Sequence, residues 1–170
     1  KTTLINLITG VLPPTEGRIV LNGQDISNLA PHLRVGKGLV RTFQINQLFS
    51  SMTPREALAT VVSQHKGIGV RWWQALGRDA AVVQRCDELL AQLHLSDVQN
   101  VRTDRLPYGK RRLLEIALAL ACEPKVLLLD EPVAGVPAGE REELFATVSA
   151  LPKDVTVLLI EHDMDLVFGF

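Results

Sequence analysis

Two adjacent carboxylates, Asp130 and Glu131, end an apolar run in the stretch KVLLLDEPVAGVP. Such a run predicts a parallel strand that is buried on both faces, and ligands of open α/β sheets bind at the carboxyl ends of the strands. One carboxylate at that place can hold Mg²⁺, while its neighbour points elsewhere and orients a water for attack on a phosphate. The alternative is a strand that leaves the core through charged residues and has no further task.

Two other stretches could act on phosphates. Lys1 and Thr2 open a helical pattern, as do the last two positions of a GxxxxGK[ST] phosphate-binding loop, where the lysine reaches phosphates and the hydroxyl binds Mg²⁺. Without the glycines of that loop, the two residues carry little weight by themselves. His162 follows a second apolar run in VTVLLIEHD. It could face the same sheet edge, although a histidine after a strand is usually structural or solvated.

A cluster of cations, Lys110 to Arg112, stands at the predicted start of a helix in LPYGKRRLLEIALAL. Positive charge at a helix N-terminus opposes the helix dipole, by about 0.3–1 kcal/mol per charge at low salt. Local rules of this kind are broken most often at functional sites. A helix that opens on Gly109 with clustered cations makes a good anion receptor, and a solvated basic patch is the alternative.

The elements that must position these residues alternate between strands and helices. Asn22 and Gly23, between two short apolar stretches, predict a β-hairpin. Strand patterns cover 38–44, 125–130 and 155–163, and helical patterns cover 2–10, the segment from residue 53 onward, 80–95, 109–121 and 139–151. The sequence therefore predicts an α/β fold, a parallel sheet with a small antiparallel hairpin and an inserted helical block.

Composition indicates a globular protein. The 170 residues are 46% hydrophobic and 22% charged, enough for one domain with a sizeable core. The net charge of −1 gives no support for general nucleic-acid binding. Cys86 and Cys122 lie far apart without metal-ligand spacing, so we expect reduced core thiols. No apolar run approaches the ~20 residues that span a bilayer. We therefore expect a soluble, cytoplasmic protein that reaches a membrane only through partners.

The order of these motifs resembles that of the ATP-binding-cassette (ABC) ATPases, over essentially all 170 residues. KTT matches the end of the Walker A loop, RTFQ the Q-loop, LPYGK the signature usually written LSGGQ, VLLLDE the Walker B motif with its glutamate, and EHD the switch histidine. The stretches LVRTFQINQLFSSMTPREAL, LPYGKRRLLEIALALA, DEPVAGVP and IEHDMDLVF further resemble the ATPase subunits of branched-chain amino-acid importers.

The resemblance implies a P-loop NTPase-like fold. Residues 1–50 and 123–170 would form a RecA-like core with its antiparallel part, and about 51–122 the helical subdomain, in which Trp72 and Trp73 would pack or meet a partner. Since the chain starts inside a helical pattern and stops without a polar tail, we expect a segment cut at both ends that lacks the Walker A glycines and a C-terminal part. The segment alone should bind ATP weakly or not at all and be inactive, although its parent should hydrolyse ATP.

The resemblance implies that four residues in the first half of the chain contact Mg²⁺-ATP. By resemblance, Lys1 would neutralise the β- and γ-phosphates, Thr2 would ligate Mg²⁺, and Thr3 would touch the α-phosphate region. Gln44 would sense Mg²⁺ and the attacking water, and it would also link to a membrane subunit.

Three residues at the two strand ends are implied to complete the catalytic site. Asp130 would hold Mg²⁺ through water, Glu131 would polarise the attacking water, and His162 would contact the γ-phosphate. Phosphoryl transfer asks for little covalent chemistry from the protein, so positioning and charge stabilisation would carry it.

The signature and the loop after Walker B depart from the family pattern. Tyr108, Gly109 and Lys110 fall among the implied nucleotide-binding residues, but Pro107 stands where serine is usual and Tyr108 replaces the first glycine. We expect the helix start at Gly109 and the charge of Lys110 to compensate in part. Pro137 stands where the loop after Walker B usually carries aspartate, which puts the usual coupling between two sites in doubt.

The resemblance also implies partners. Two cassettes, identical or with a sister ATPase, would face head to tail around two ATP molecules, and two transmembrane permease subunits would turn their closure into alternating access. A periplasmic solute-binding protein would take part indirectly, nucleic acid would not, and the cassette would lie at the cytoplasmic face of the inner membrane. The alternatives are a cassette that moves lipid or lipopolysaccharide, and a soluble cassette of DNA repair or translation.

Overall fold

The computed structural model describes residues 2–42, 50–67 and 79–162. Lys1, Gln44, Trp72 and Trp73 lie outside these ranges, so the roles expected for them stay predictions. The helices of the described residues are α1 (Thr2–Thr9), α2 (Pro31–Gly36), α3 (Pro54–His65), α4 (Ala80–Gln92), α5 (Tyr108–Leu120) and α6 (Ala138–Ser149). The strands are β1 (Val20–Leu21), β2 (Gln24–Asp25), β3 (Leu39–Arg41), β4 (Val126–Asp130) and β5 (Thr156–Ile160).

A parallel sheet in the order β3–β4–β5 forms the centre of the fold. Leu127, Leu128 and Leu129 of β4 are each at most 1% exposed, so the middle strand is buried on both faces, as its unbroken apolar run predicts. Asp130 pairs in register with Ile160 of β5. The carboxyl ends of these strands therefore meet at one edge, and the predicted α/β class is confirmed.

The predicted hairpin is also confirmed, although its strands are shorter than the apolar stretches around them. The strands β1 and β2 pair antiparallel, with Leu21 opposite Gln24. Asn22 and Gly23 both have positive φ angles, of 50° and 77°. A two-residue turn of this kind matches the twist of the flanking strands.

A buried arginine ties the first part of the chain together. Arg34, on the short helix α2, is 1% exposed. Its guanidinium donates to the carbonyls of Leu7 (2.8 Å), Ile8 (2.6 Å), Ser27 (2.8 Å) and Leu29 (2.9 Å). It therefore joins the end of α1 to the loop before α2. The sequence patterns did not predict α2, whose six residues are too few to show a helical period.

Helices α3, α4 and α5 pack together and share one apolar core with β4 and α6. A reciprocal capping box opens α3, in which Thr53 N–H donates to Glu56 Oε2 (2.8 Å) and Glu56 N–H to Thr53 Oγ1 (3.3 Å). In α5, ten of thirteen residues are buried, as its apolar residues on all sides predict. Whether the helical block begins at 51 and ends at 122 stays a prediction.

Both cysteines are free. Cys86 is buried and Cys122 half-buried, and burial raises the pKa of each thiol, so both are neutral thiols near pH 7. Within 2–42, 50–67 and 79–162, no helix combines the length and the apolar character needed to cross a bilayer.

Candidate active site

Asp130, the last residue of β4, has a cation beside it. Arg41, the last residue of β3, donates from Nη2 to Asp130 Oδ2 at 2.8 Å and from Nη1 to Asn6 Oδ1 of α1 at 3.1 Å. The two charged side chains are 17% and 27% exposed, so solvent screens the pair only in part. Arg41 thus orients the carboxylate and links the strand end to the first helix.

Glu131 follows in a different conformation and with a different partner. Its φ of 48° lies in the left-handed region, which costs a non-glycine residue of order 1 kcal/mol or more. Its N–H donates to Ile160 O (2.8 Å), and its Oε1 lies 2.8 Å from His162 Nε2. The turn of the backbone therefore directs the two neighbouring carboxylates to separate partners, as the sequence predicts.

Glu161 holds the two catalytic candidates in place through the backbone. Its Oε1 accepts from Val133 N–H and its Oε2 from His162 N–H, each at 3.1 Å. The carboxylate therefore bridges the loop after Glu131 and the residue after β5. Sequence reasoning missed this role, because an acid beside a histidine shows nothing about which backbone groups it will meet.

A cavity of about 330 Å³ opens at this sheet edge. It is lined by Thr2, Arg41, Thr42, Arg112, Glu115, Ile116, Asp130, Glu131, Pro132 and Ala134. Carboxylate and hydroxyl oxygens are the ligands that Mg²⁺ prefers, and arginines suit phosphates. The lining therefore fits a metal-bound polyphosphate.

Arg112 and Glu115, one helical turn apart on α5, form a second ion pair at the cavity wall. Arg112 Nη1 lies 2.7 Å from Glu115 Oε2, and the side chains are 9% and 10% exposed. Burial acts to lower the pKa of Arg112, but the hydrogen bond and the charge of Glu115 outweigh it and raise that pKa. The guanidinium therefore stays charged inside the protein.

At the start of α5, the groups that were predicted to bind an anion, Gly109 N–H and Lys110 Nζ, instead contact residues of the same chain. Gly109 N–H donates to Glu140 Oε2 at 3.0 Å. Lys110 Nζ reaches the carbonyl of His94 and Asp97 Oδ1, the latter at 3.3 Å. Gly109, Lys110 and Glu140 line a separate groove of about 180 Å³. The donor that the sequence offers to an anion is thus bonded to a carboxylate of its own chain.

The structure brings some of the predicted site residues together and keeps others apart. Thr2, Asp130 and Glu131 line one cavity, and His162 contacts Glu131. Thr3 is exposed in the first turn of α1. Tyr108, Gly109 and Lys110 lie at the start of α5, and their roles toward a nucleotide stay predictions. Sequence reasoning named Arg112 only as part of the cation cluster at the start of α5, and it missed the cavity residues Arg41 and Glu115 as well as Glu161. The i, i+3 spacing of Arg112 and Glu115 was the available signal for their pairing.

The comparison with known proteins agrees with this geometry. The profile of the ABC transporter family matches residues 1–134. The chain is 39% identical to the high-affinity branched-chain amino acid transport ATP-binding protein BraF of Pseudomonas aeruginosa and 36% identical to LivG, of the same description, of Escherichia coli K12. Both alignments cover 99% of this chain and 69% of the relative.

A solved structure gives the same result for the fold. The crystal structure of an ATP-binding cassette of an ABC transporter in its ADP conformation superposes with a TM-score of 0.84 at 34% identity. The match covers 99% of this chain and 68% of that one. This chain belongs to the ABC transporter family and is one of its ATP-binding cassettes.

Proposed function

We propose that this cassette hydrolyses Mg²⁺-ATP in the cavity at the end of β4 and thereby powers import of branched-chain amino acids. The proposal of ATP hydrolysis rests on one observation: two adjacent carboxylates face different partners. Asp130 pairs with Arg41 and Glu131 with His162, while both line the cavity that Thr2 also lines. The solute class rests on the relatives, which are named branched-chain amino acid transport ATP-binding proteins.

Asp130 and Thr2 are the residues proposed to hold the metal. Mg²⁺ keeps several waters and takes one or two carboxylates together with substrate phosphates, so a single aspartate and a hydroxyl in one cavity suffice. The ion supplies charge neutralisation for the phosphates during transfer. Arg41, which lines the same cavity, orients Asp130 by its 2.8 Å contact, as outer partners of metal-binding carboxylates do.

Glu131 and His162 are the residues proposed to serve the reacting phosphate. The Glu131 carboxylate accepts a hydrogen bond from the attacking water and holds it in line with the terminal phosphate, and His162 fixes the carboxylate at 2.8 Å. Both side chains are partly exposed, at 44% and 66%. Substrate can therefore reach them from the open side of the cavity.

The ATPase subunits of ABC transporter complexes typically work with membrane permease subunits. For this chain we propose two permeases, a second cassette of the same or a sister type that faces it head to tail, and a periplasmic binding protein that acts through the permeases. The cassette would then lie at the cytoplasmic face of the inner membrane. A lipid or lipopolysaccharide transporter and a soluble cassette are less well supported, because both relatives named above are amino-acid transport proteins.

Uptake by the reconstituted transporter tests the proposed function. The full-length protein, its permeases and the binding protein are assembled in proteoliposomes with ATP inside. We expect uptake of labelled leucine that depends on ATP, and no uptake of labelled lysine. ATP hydrolysis without leucine uptake would reject the solute, and absence of both would reject the ATPase assignment of the cavity.

Asp130→Asn should weaken the response to Mg²⁺. The amide keeps the shape of the side chain but loses the charge that faces Arg41 and the metal. We expect the Mg²⁺ concentration for half-maximal ATP turnover to rise about 10–100-fold, with little change in metal-free ATP binding. Asp154→Asn, at an exposed position, is the matched control. An unchanged Mg²⁺ titration would remove Asp130 from the metal site.

Lys110→Ala tests whether a cation at the altered signature compensates for Pro107. The ammonium lies near Asp97 and the carbonyl of His94, so it must change partners to meet a phosphate. We expect ATP turnover and nucleotide-driven dimerisation of the assembled transporter to fall about fivefold, the equivalent of about 1 kcal/mol. Unchanged turnover and dimerisation would show that Lys110 does not compensate.

A further inference from the structure

Tyr108, which stands where the family signature has glycine, contacts the loop between β4 and α6. Its hydroxyl donates to Ala134 O at 3.1 Å. Gly135, next in the loop, has a φ of 76°, and a Cβ there would lie 3.2 Å from Tyr108 Oη. The positive φ at 135 favours glycine, and a Cβ there would make a tight contact that the phenol could relieve only by shifting a few tenths of an ångström.

The ring of Tyr108 packs against Arg112 of the buried Arg112–Glu115 ion pair. The guanidinium carbon of Arg112 lies 5.3 Å from the ring centroid, within the range of a cation–π contact. Arg112 Nη2 also lies 3.5 Å from Ala134 O, and Glu115 fixes the guanidinium at 2.7 Å. Two side chains of α5 thus converge on one carbonyl of the loop.

The carbonyl of Ala134 belongs to a residue that is hydrogen-bonded to Glu131, the proposed catalytic glutamate. Ala134 N–H donates to Glu131 O at 3.0 Å, and Val136 N–H to Val133 O at 3.0 Å, so the loop is two consecutive tight turns. Glu131 itself is in a left-handed conformation that its surroundings must maintain. A displacement of Ala134 therefore changes the position of Glu131.

We propose that Tyr108 is a positioning residue that couples the start of α5 to the loop of Glu131. This inference rests on the proposed function, in which Glu131 orients the attacking water. When α5 moves with the helical block, the tether carries the loop with it. The resemblance implies a head-to-tail pair of cassettes around two ATP molecules and nucleotide contacts at Tyr108, Gly109 and Lys110, so the tether would connect the nucleotide at the start of α5 with Glu131.

The first test is Tyr108→Phe in the full-length protein assembled with its permeases. Phenylalanine keeps the ring on Gly135 and Arg112 and removes only the donor. We expect kcat for ATP to fall about two- to tenfold, the rate equivalent of one hydrogen bond. The KM for ATP should stay the same, and the Hill coefficient for ATP should fall towards one. A merely structural role would lower the melting temperature and leave the Hill coefficient unchanged.

A double-mutant cycle tests the pairing with Gly135. In the wild-type background, Gly135→Ala should lower kcat about tenfold or more, because the methyl group displaces the phenol and the residue must keep a positive φ. In a protein that already carries Tyr108→Gly, the fold decrease in kcat caused by Gly135→Ala should be at least about threefold smaller. Gly139→Ala, where a Cβ meets nothing within 4 Å, is the matched control and should leave kcat unchanged.

The outcomes separate this inference from the function on which it rests. If the wild-type transporter hydrolyses ATP but Tyr108→Phe keeps its kcat and Hill coefficient, the tether is wrong and the ATPase stands. An equal decrease in kcat on Gly135→Ala in the wild-type and the Tyr108→Gly proteins would likewise overturn the proposed tether. A wild-type transporter that hydrolyses no ATP would overturn both.

Discussion

Replacing Glu131 by glutamine should lower ATP turnover about 10²–10⁴-fold, the usual contribution of a positioned general base, while ATP still binds. The amide has the same shape, so the left-handed backbone and the contact with Ile160 can persist. It cannot polarise the water as a carboxylate does. The measurement is steady-state hydrolysis by the assembled transporter beside equilibrium binding of radiolabelled ATP.

The control for this change is Glu142→Gln, which removes an exposed carboxylate on α6 and should leave turnover intact. If Glu131→Gln retains turnover within about threefold of wild type, Glu131 is not the residue that prepares the water. Glu161, which accepts from Val133 and His162 N–H, would then be the next carboxylate to examine.

Replacing Arg34 by methionine should destabilise the protein by about 3–5 kcal/mol, at the upper end of the range for single substitutions. The buried guanidinium serves four backbone carbonyls, and each carbonyl left without a donor costs about 1–3 kcal/mol when it is shielded from water. Burial lowers the pKa of Arg34, but an arginine remains charged at neutral pH. The loss should appear as a lower urea midpoint in denaturation followed by circular dichroism.

Arg102→Met is the matched control for this loss. Arg102 pairs with Asp104 at the surface, where the side chains are 49% and 40% exposed, and such pairs contribute about 1 kcal/mol or less. A urea midpoint for Arg34→Met no lower than that of the control would show that water replaces the guanidinium, and that Arg34 does not join α1 to α2.

The fold was largely predictable because its signals are local. The apolar run before Asp130 indicated a strand buried on both faces, and Asn22-Gly23 indicated a hairpin. The short helix α2 was missed, since six residues carry no readable period. What makes α2 important is the set of carbonyls that Arg34 meets, two of which lie at the end of α1. Contacts over such sequence distances leave no local pattern.

The site was predictable only in part, for a related reason. Motif order indicated Thr2, Asp130, Glu131 and His162, and the structure places them at one sheet edge. It did not indicate Arg41, whose partner is 89 residues away. It also did not show that the Gly109 N–H is bonded to Glu140, 31 residues along the chain. Which cation meets which acid is decided by the three-dimensional packing.

The central claim is that ATP is hydrolysed at the end of β4, with the metal at Asp130 and the water at Glu131. The most direct test is a cryo-electron microscopy structure of the full-length transporter carrying Glu131→Gln, trapped with Mg²⁺ and ATP. We expect the metal between Thr2 and Asp130, with the terminal phosphate beside position 131 and His162. A nucleotide bound elsewhere, or a terminal phosphate out of reach of position 131, would contradict the claim.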